Sequence, residues 1–484
     1  MKLRMKAGLA GIAFAGTIFV GLPQRPQLAP QAREFVKVDA PMVALIHARV
    51  IDGNGGPSRP DQTIVIRDGK IAGLGASSDT AVPTGATVLD LTGKSVIPGL
   101  VMLHEHLYYP TGPGVYGQLG MSFVRLYLAG GVTTMRTGGN ANGVMDISLK
   151  QKIDRGEIAG PAIDATAPYL EGPNSSIAQM HVLKDADDAR KQVAHWADMG
   201  ATSFKAYMNI TRAELRAAVE EAHKRGLKVT GHLCSIGFRE AAEIGIDDLE
   251  HGLLVDSEFV PNKQPDQCPA GSAVTSSLRQ LDISGAALRE TIHTLVAKNV
   301  AVTSTLPVFE AGAPLTQSGI GAATAVLNPR VLNVMSTEAR ARYLAARARI
   351  SSDSPYAQLL RKEMDFERAF VQAGGLLLAG PDPTGNGGVV AGFGDLREVE
   401  LLVEAGFTPL EAIKIASFNG ARFLGEDAHI GSIAAGKQAD LILVKGNPAV
   451  NIGDIEKVEI VFKNGIGYDS EKLIQSVQGL VGTR

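Results

Sequence analysis

The sequence predicts an α/β protein: a (β/α)8 TIM barrel carrying a small composite β-sandwich built from both chain ends. Three observations lead there. Through the middle of the chain short apolar runs alternate with amphipathic helical stretches, a rhythm that argues for a parallel sheet closed by right-handed crossovers. Eight such runs occur, the number a closed barrel requires: SVIPGLVML, GVTTMRT, AIDATAPYL, TSFKAYM, LKVTGHL, DDLEHG, VAVTSTL and LLLAGPD. Both ends of the chain, by contrast, are written in short strands separated by turn residues.

At the amino end, MKLRMK followed by AGLAGIAFAGTIFVGL sets a basic segment before an apolar stretch. That stretch is shorter than the ~20 residues of a membrane-spanning helix. It reads as a signal peptide over residues 1–32, with a cleavage point near Ala29 to Ala32. The expected location is periplasmic or secreted, with no stable membrane span in the mature chain. An uncleaved anchor is the alternative, and it leaves the same domain outside the cytoplasm.

Residues 33–97 are expected to form the first part of the sandwich, through VALIHARVIDG, TIVIRDGKIAGLG and ATVLDLTGKSVIPG. Asp52-Gly53 and Asp68-Gly69 are hairpin signals between alternating apolar runs. Residues 98–429 form the barrel, and residues 430–484, with ADLILVKG and VEIVFKNG, the second part of the sandwich and a tail. Within the barrel, TRAELRAAVEEAHKRG sets Leu215, Ala218, Val219 and Ala222 at helical spacing. It opens on Thr211 three residues before Glu214, a capping box, and its acidic start and basic end suit the helix dipole. Two insertions, about 256–283 and 309–362, interrupt the rhythm after strands and are candidate lids.

Composition excludes some classes of function. The 484 residues are 45% hydrophobic and 20% charged, an ordinary globular balance, and the net charge is only −3. No basic stripe suits nucleic acid, so the expected partner is a small-molecule substrate. Two cysteines make no disulfide framework. Cys234, two residues past His232, reads first as a small packing residue, and its pairing with Cys268 is left open.

The chemistry sits where the apolar runs end. His104 and His106, Lys205, His232 and His251, and Asp382 each close such a run, and a parallel barrel gathers those ends at one mouth. Neutral imidazole nitrogens and a carboxylate oxygen, with open positions, suit zinc or a similar divalent ion. Asp382 would complete the site of the His104–His106 pair, while His232 and His251 would hold a second ion. Asp382 is also suited to act as general base. Lys205 is the odd member, because an ammonium has no lone pair to offer a cation. Tyr108, Tyr109 and Tyr207 are placed to polarise a carbonyl or bind a carboxylate, Arg136 to bind a carboxylate, and His181 to reach the substrate. His47, His195, His223, His293 and His429 read as surface or packing residues.

With these residues in place the chain resembles the amidohydrolase superfamily, more narrowly its imidazolonepropionase-like and prolidase-like binuclear metal-dependent hydrolases. The resemblance runs from about Val43 to about Tyr468 and includes GSIAAGKQADLILVKGNP. It implies two divalent metal ions, with Lys205 carboxylated to N6-carboxylysine as their bridging ligand, and a homo-oligomeric assembly. It also implies a hydrolase, exported on the reading of the amino end, that opens an amide or peptide-like bond of a dipeptide or N-acyl amino acid with a metal-bridging hydroxide. Two departures stand out: Met102 where the family writes Asp, and Pro381 in Gly380-Pro381-Asp382 where it writes Thr. A hydrolase of a cyclic amide, lactone or ester is one alternative. A catalytically silent metal-binding protein on the same scaffold, motivated by those departures, is another.

Overall fold

Each of the eight apolar runs contains a strand in the computed structural model, which describes residues 27–112, 115–175, 177, 179–314 and 328–483. The basic and apolar start of the expected signal lies outside the described residues. Leu100–Glu105, Val132–Thr137 and Ala162–Asp164 form one parallel sheet. Ser203–Ala206, Lys228–Gly231, Asp248–Glu250, Ala301–Ser304 and Leu377–Ala379 form a second.

Two seams bring these sheets together. Parallel bridges pair Thr166 with Ser203 and Leu170 with Ala206. On the other side Asp382 N donates to His104 O at 3.2 Å. Gly380 makes that approach possible, because a Cβ there would stand 2.3 Å from the His104 backbone nitrogen. Any side chain would push the eighth strand off the first.

The run SVIPGLVML, expected as one strand, is two. Lys94–Pro98 belongs to the sheet of the chain ends and Leu100–Glu105 to the parallel set. The break falls at Gly99, whose N–H donates to Asp440 O at 2.9 Å and whose Cβ position lies 2.1 Å from Thr133 Oγ1.

Both chain ends build one nine-stranded sheet, in which Leu441–Lys445 lies antiparallel to Lys94–Pro98. Apolar residues from both ends, among them Val43, Ile64, Leu441 and Phe462, share a core of their own. Asp68-Gly69, at φ +49° and +83°, is the two-residue turn between Arg59–Arg67 and Lys70–Ala76. Asp52-Gly53 is not such a turn. A longer loop joins Met42–Val50 to Arg59–Arg67, because Gly53 is drawn against Pro98, whose Cγ lies 2.7 Å from its Cβ position.

The helix Arg212–Lys224 carries the expected capping box, with Glu214 N donating to Thr211 Oγ1 and Thr211 N to Glu214 Oε2. Its residues Leu215, Ala218, Val219 and Ala222 are buried. The first insertion is pinned by a disulfide between Cys234 and Cys268, so Cys234 is half of a covalent tie rather than only a packing residue. The second insertion contains the helices Pro329–Val334 and Thr337–Ala348, and residues 315–327 within it lie outside the described residues. An unforeseen hairpin, Tyr108–Gly112 with Val115–Gln118, follows the first parallel strand. Leu28 and Ala32, inside the span expected for the signal, pack in the main core. Among the described residues no helix is long and apolar enough to cross a membrane.

Candidate metal centre

At the carboxyl ends of the parallel strands, a cavity of about 290 Å3 collects His104, His106, Lys205, His232, His251 and Asp382. Strand alternation aims His104 and His106 at this space, while Glu105 between them turns toward Asp395 and Tyr127. His106 Nε2 lies 3.2 Å from Asp382 Oδ1, His104 Nε2 3.8 Å from the same oxygen, and His251 Nδ1 3.9 Å from Oδ2. The His251 ring stands 4.5 Å from that of His104 and 4.4 Å from that of His232, between centroids. His104, His251 and Asp382 offer three ligand atoms within 4.8 Å of one another.

Two of these residues hold a backbone that sequence does not announce. His251 has φ +71° and Asp382 φ +50°, the left-handed region, which a residue with a side chain adopts only where its surroundings impose it. Each stands just past the end of its strand, where the chain turns over the mouth.

Burial sets the charge states. It pushes all four imidazoles below their ordinary value, His251 to about 4, so near pH 7 they are neutral and carry lone pairs. Burial also pushes the Asp382 carboxyl upward, but the hydrogen bond with His106 and the nearby Lys205 charge hold it well below the usual carboxylate range. Thr384 Oγ1 donates to Asp382 Oδ1 at 2.9 Å and so orients it. His106 Nδ1 lies 3.1 Å from Gly139 O and its Nε2 3.2 Å from Asp382 Oδ1, so a partner at each ring nitrogen fixes the orientation of the imidazole. Neutral imidazoles converging on an ionised carboxylate fit a divalent cation.

Lys205 meets Glu250 in an ion pair and lies 3.2 Å from His104 Nε2. Burial lowers its pKa against the opposing pull of Glu250. Behind it Arg136, expected as a carboxylate-binding group, is committed elsewhere. Its donors reach Glu250, Thr230 and Ser203 and the carbonyls of Leu103 and Phe204, and it does not line the cavity. His181 is also displaced from its expected role, pairing with Asp188 Oδ2 at 3.1 Å on the surface. Tyr109 turns away from the cavity, because strand alternation opposes it to Tyr108, and its hydroxyl donates to Gly387 O at 2.9 Å. Tyr108 and Tyr207 do line the cavity.

Several lining residues were not foreseen. Tyr116 and Gln118 come from the new hairpin, Asn142, Gln179 and Met180 from loops, and Tyr169 from the end of AIDATAPYL. Tyr169 had a signal, since it ends a predicted strand. Glu250 had one too, as a carboxylate inside the apolar run DDLEHG. Met102 is fully buried in the core, and Pro381 packs beside Gly394, so neither departure displaces a candidate ligand. A larger, open hollow of about 890 Å3 lies toward the amino ends of the strands and contains none of the candidate ligands.

A model of the amidohydrolase family matches residues 95–466, well over half of the chain. The chain belongs to the amidohydrolase family. Within the family, the imidazolonepropionase of Geobacillus sp. (strain WCH70) is 23% identical over 399 residues, 79% of this chain and 83% of that protein. The enamidase of Eubacterium barkeri is 26% identical over 215 residues, so the chain matches about half, 52%, of that relative's length and 42% of its own. Among solved structures, a bottromycin amidohydrolase superposes with a TM-score of 0.67 at 21% identity, covering 93% of this chain and 94% of that one. A Xaa-Pro dipeptidase with bound methionine gives a TM-score of 0.66 at 21% identity, covering 88% and 100%. Likeness at these identities establishes the shared amidohydrolase fold.

Proposed function

We propose that this chain is an exported, binuclear metal-dependent amidohydrolase that opens an amide or peptide-like bond of a small substrate. The observation that carries the reading is the meeting, in one cavity, of four neutral imidazoles, an ionised Asp382 and a buried Lys205. His104, His106 and Asp382 would hold one divalent cation, zinc or a similar ion, and His232 and His251 a second, with carboxylated Lys205 between them. When bound, such a pair acidifies a shared water and polarises a carbonyl.

The chain's own residues supply the rest. Burial lowers the Lys205 pKa, which eases release of the ammonium proton; the freed amine would add to carbon dioxide with loss of a second proton, leaving an anionic carbamate. Asp382, ionised and steadied by Thr384, accepts a proton from the attacking water and returns it to the leaving nitrogen. The two strand seams support reading the eight parallel strands as one barrel, and the shared core of the chain ends supports the composite sandwich. The Cys234–Cys268 bond supports export, since such bonds persist in oxidising compartments.

The test is metal analysis and turnover after reconstitution with zinc. About two ions per chain are expected. Asp382→Asn is expected to lower kcat by ~10²–10⁴-fold with the circular-dichroism spectrum retained. Undiminished turnover in that variant would overturn the reading, and fewer than about one ion per chain would favour a silent scaffold.

A further inference from the structure

His251 stands on a turn that its own strand does not hold. After Asp248–Glu250 the chain passes through two consecutive left-handed residues, His251 at φ +71° and Gly252 at φ +59°, into the short helical turn Gly252–Val255. A residue with a side chain keeps such a conformation only under outside constraint. Three contacts from other segments supply it. The backbone N–H of His251 donates to Thr303 O at 3.0 Å, on the neighbouring strand Ala301–Ser304. Its ring nitrogen Nδ1 lies 2.9 Å from the hydroxyl oxygen of Thr305, just past that strand and shut off from water. The third contact comes from the helix Tyr356–Gln372, where Glu363 Oε2 accepts the Leu254 N–H at 2.9 Å.

Glu363 is fully buried, and its Oε1 stands so close to Gly252 that a Cβ there would collide with it. The carboxyl group fills the place of the missing side chain, so only glycine can follow His251 in this turn. Neither Thr305 nor Glu363 lines the cavity, so neither meets the substrate. They act on the ring and the backbone of one ligand. The other histidines of the first strand and Asp382 are bonded elsewhere: His104 to Lys205, His106 to Gly139 O, and Asp382 to Thr384. A ligand whose ring or turn is left free must be ordered when the ion binds, and that lost freedom weakens the binding.

We infer that Thr305 and Glu363 are positioning residues for the second ion: Thr305 fixes the His251 ring, and Glu363, as a hydrogen-bond acceptor, fixes the left-handed turn that carries it. This rests on the two-ion reading of the same cavity and adds to it the groups that hold one ligand ready. The test is zinc retention by the loaded full chain, dialysed in bicarbonate buffer against a graded series of chelator-buffered free zinc, with metal counted per chain and near-ultraviolet circular dichroism recorded on each sample. The native chain is expected to release its two ions in two steps. Glu363→Met, which keeps the volume and removes the acceptor, is expected to weaken one step by about 10–100-fold and to leave the other in place. Glu363→Gln keeps an acceptor oxygen and is expected to restore both steps. Thr305→Val replaces the hydroxyl by a methyl group and is expected to weaken that same step, and it carries the test by itself should Glu363→Met fail to fold. Two native steps that neither Glu363→Met nor Thr305→Val moves, two steps weakened alike, or a Glu363→Gln chain as weak as Glu363→Met would overturn the inference and leave the two-ion reading intact. Fewer than two steps in the native chain would overturn that reading, and the inference with it.

Discussion

Arg136 Nη1 lies 3.0 Å from Glu250 Oε1, an ion pair with both side chains shut off from water beneath the histidine cluster. Glu250 also contacts Lys205, so one carboxylate ties together residues of the second, fourth and sixth parallel strands. Through Glu250 the pair holds Lys205 in place.

Arg136→Met leaves that carboxylate buried with half its partners. A loss of about 3–5 kcal/mol in unfolding free energy is expected, because an uncompensated buried charge costs more than the pair contributes. Adding Glu250→Gln should recover part of it. Urea denaturation of the single and double variants measures both, and a single-variant loss under about 1 kcal/mol, the level of an exposed pair, would refute this account.

The Cys234–Cys268 bond closes a loop with a sequence separation of 34. Loop-closure entropy for that length amounts to roughly 3–4 kcal/mol. Cys268→Ser, or reduction of the native protein, should lower stability by up to about that amount. Denaturation curves with and without reductant test this, and coincident curves would show that the bond is not formed.

One contribution to stability, that of Glu363, should fall as pH rises from acid toward neutrality. Burial, reinforced by Glu398 and Asp256, pushes the Glu363 carboxyl from 4.5 up to about 8, against hydrogen bonds from the Leu253 and Leu254 backbones. Between these values the native state keeps a proton that the unfolded chain has released. The contribution of Glu363 is therefore fully present below about pH 4.5 and is lost as pH climbs through 8, at up to ~1.4 kcal/mol per pH unit. Glu367 and Glu398 are shifted in the same direction. Glu363→Gln should flatten the slope of unfolding free energy between about pH 5 and 8, and an identical slope in the variant would refute the assignment.

Much of the framework was legible because it is local. Apolar runs of strand length lie at each of the eight parallel strands, and the Thr211–Glu214 box starts its helix where expected. Misreadings arose where a distant contact overrode a local signal. Asp52-Gly53 was drawn into a longer loop by Pro98, and Gly99 split an apolar run because Asp440 binds its N–H. Arg136 and His181 look free in sequence, yet Glu250 and Asp188 hold them.

The sequence by itself determined which runs become strands and which side chains can bind a cation, because periodicity and donor chemistry belong to each short segment. Only the tertiary structure decided that His251 and Asp382 take left-handed turns, that Cys234 joins Cys268, and that tyrosines from separate segments wall one cavity. Those outcomes depend on which groups meet across the fold, where burial and pairing energies between remote segments outweigh local preference.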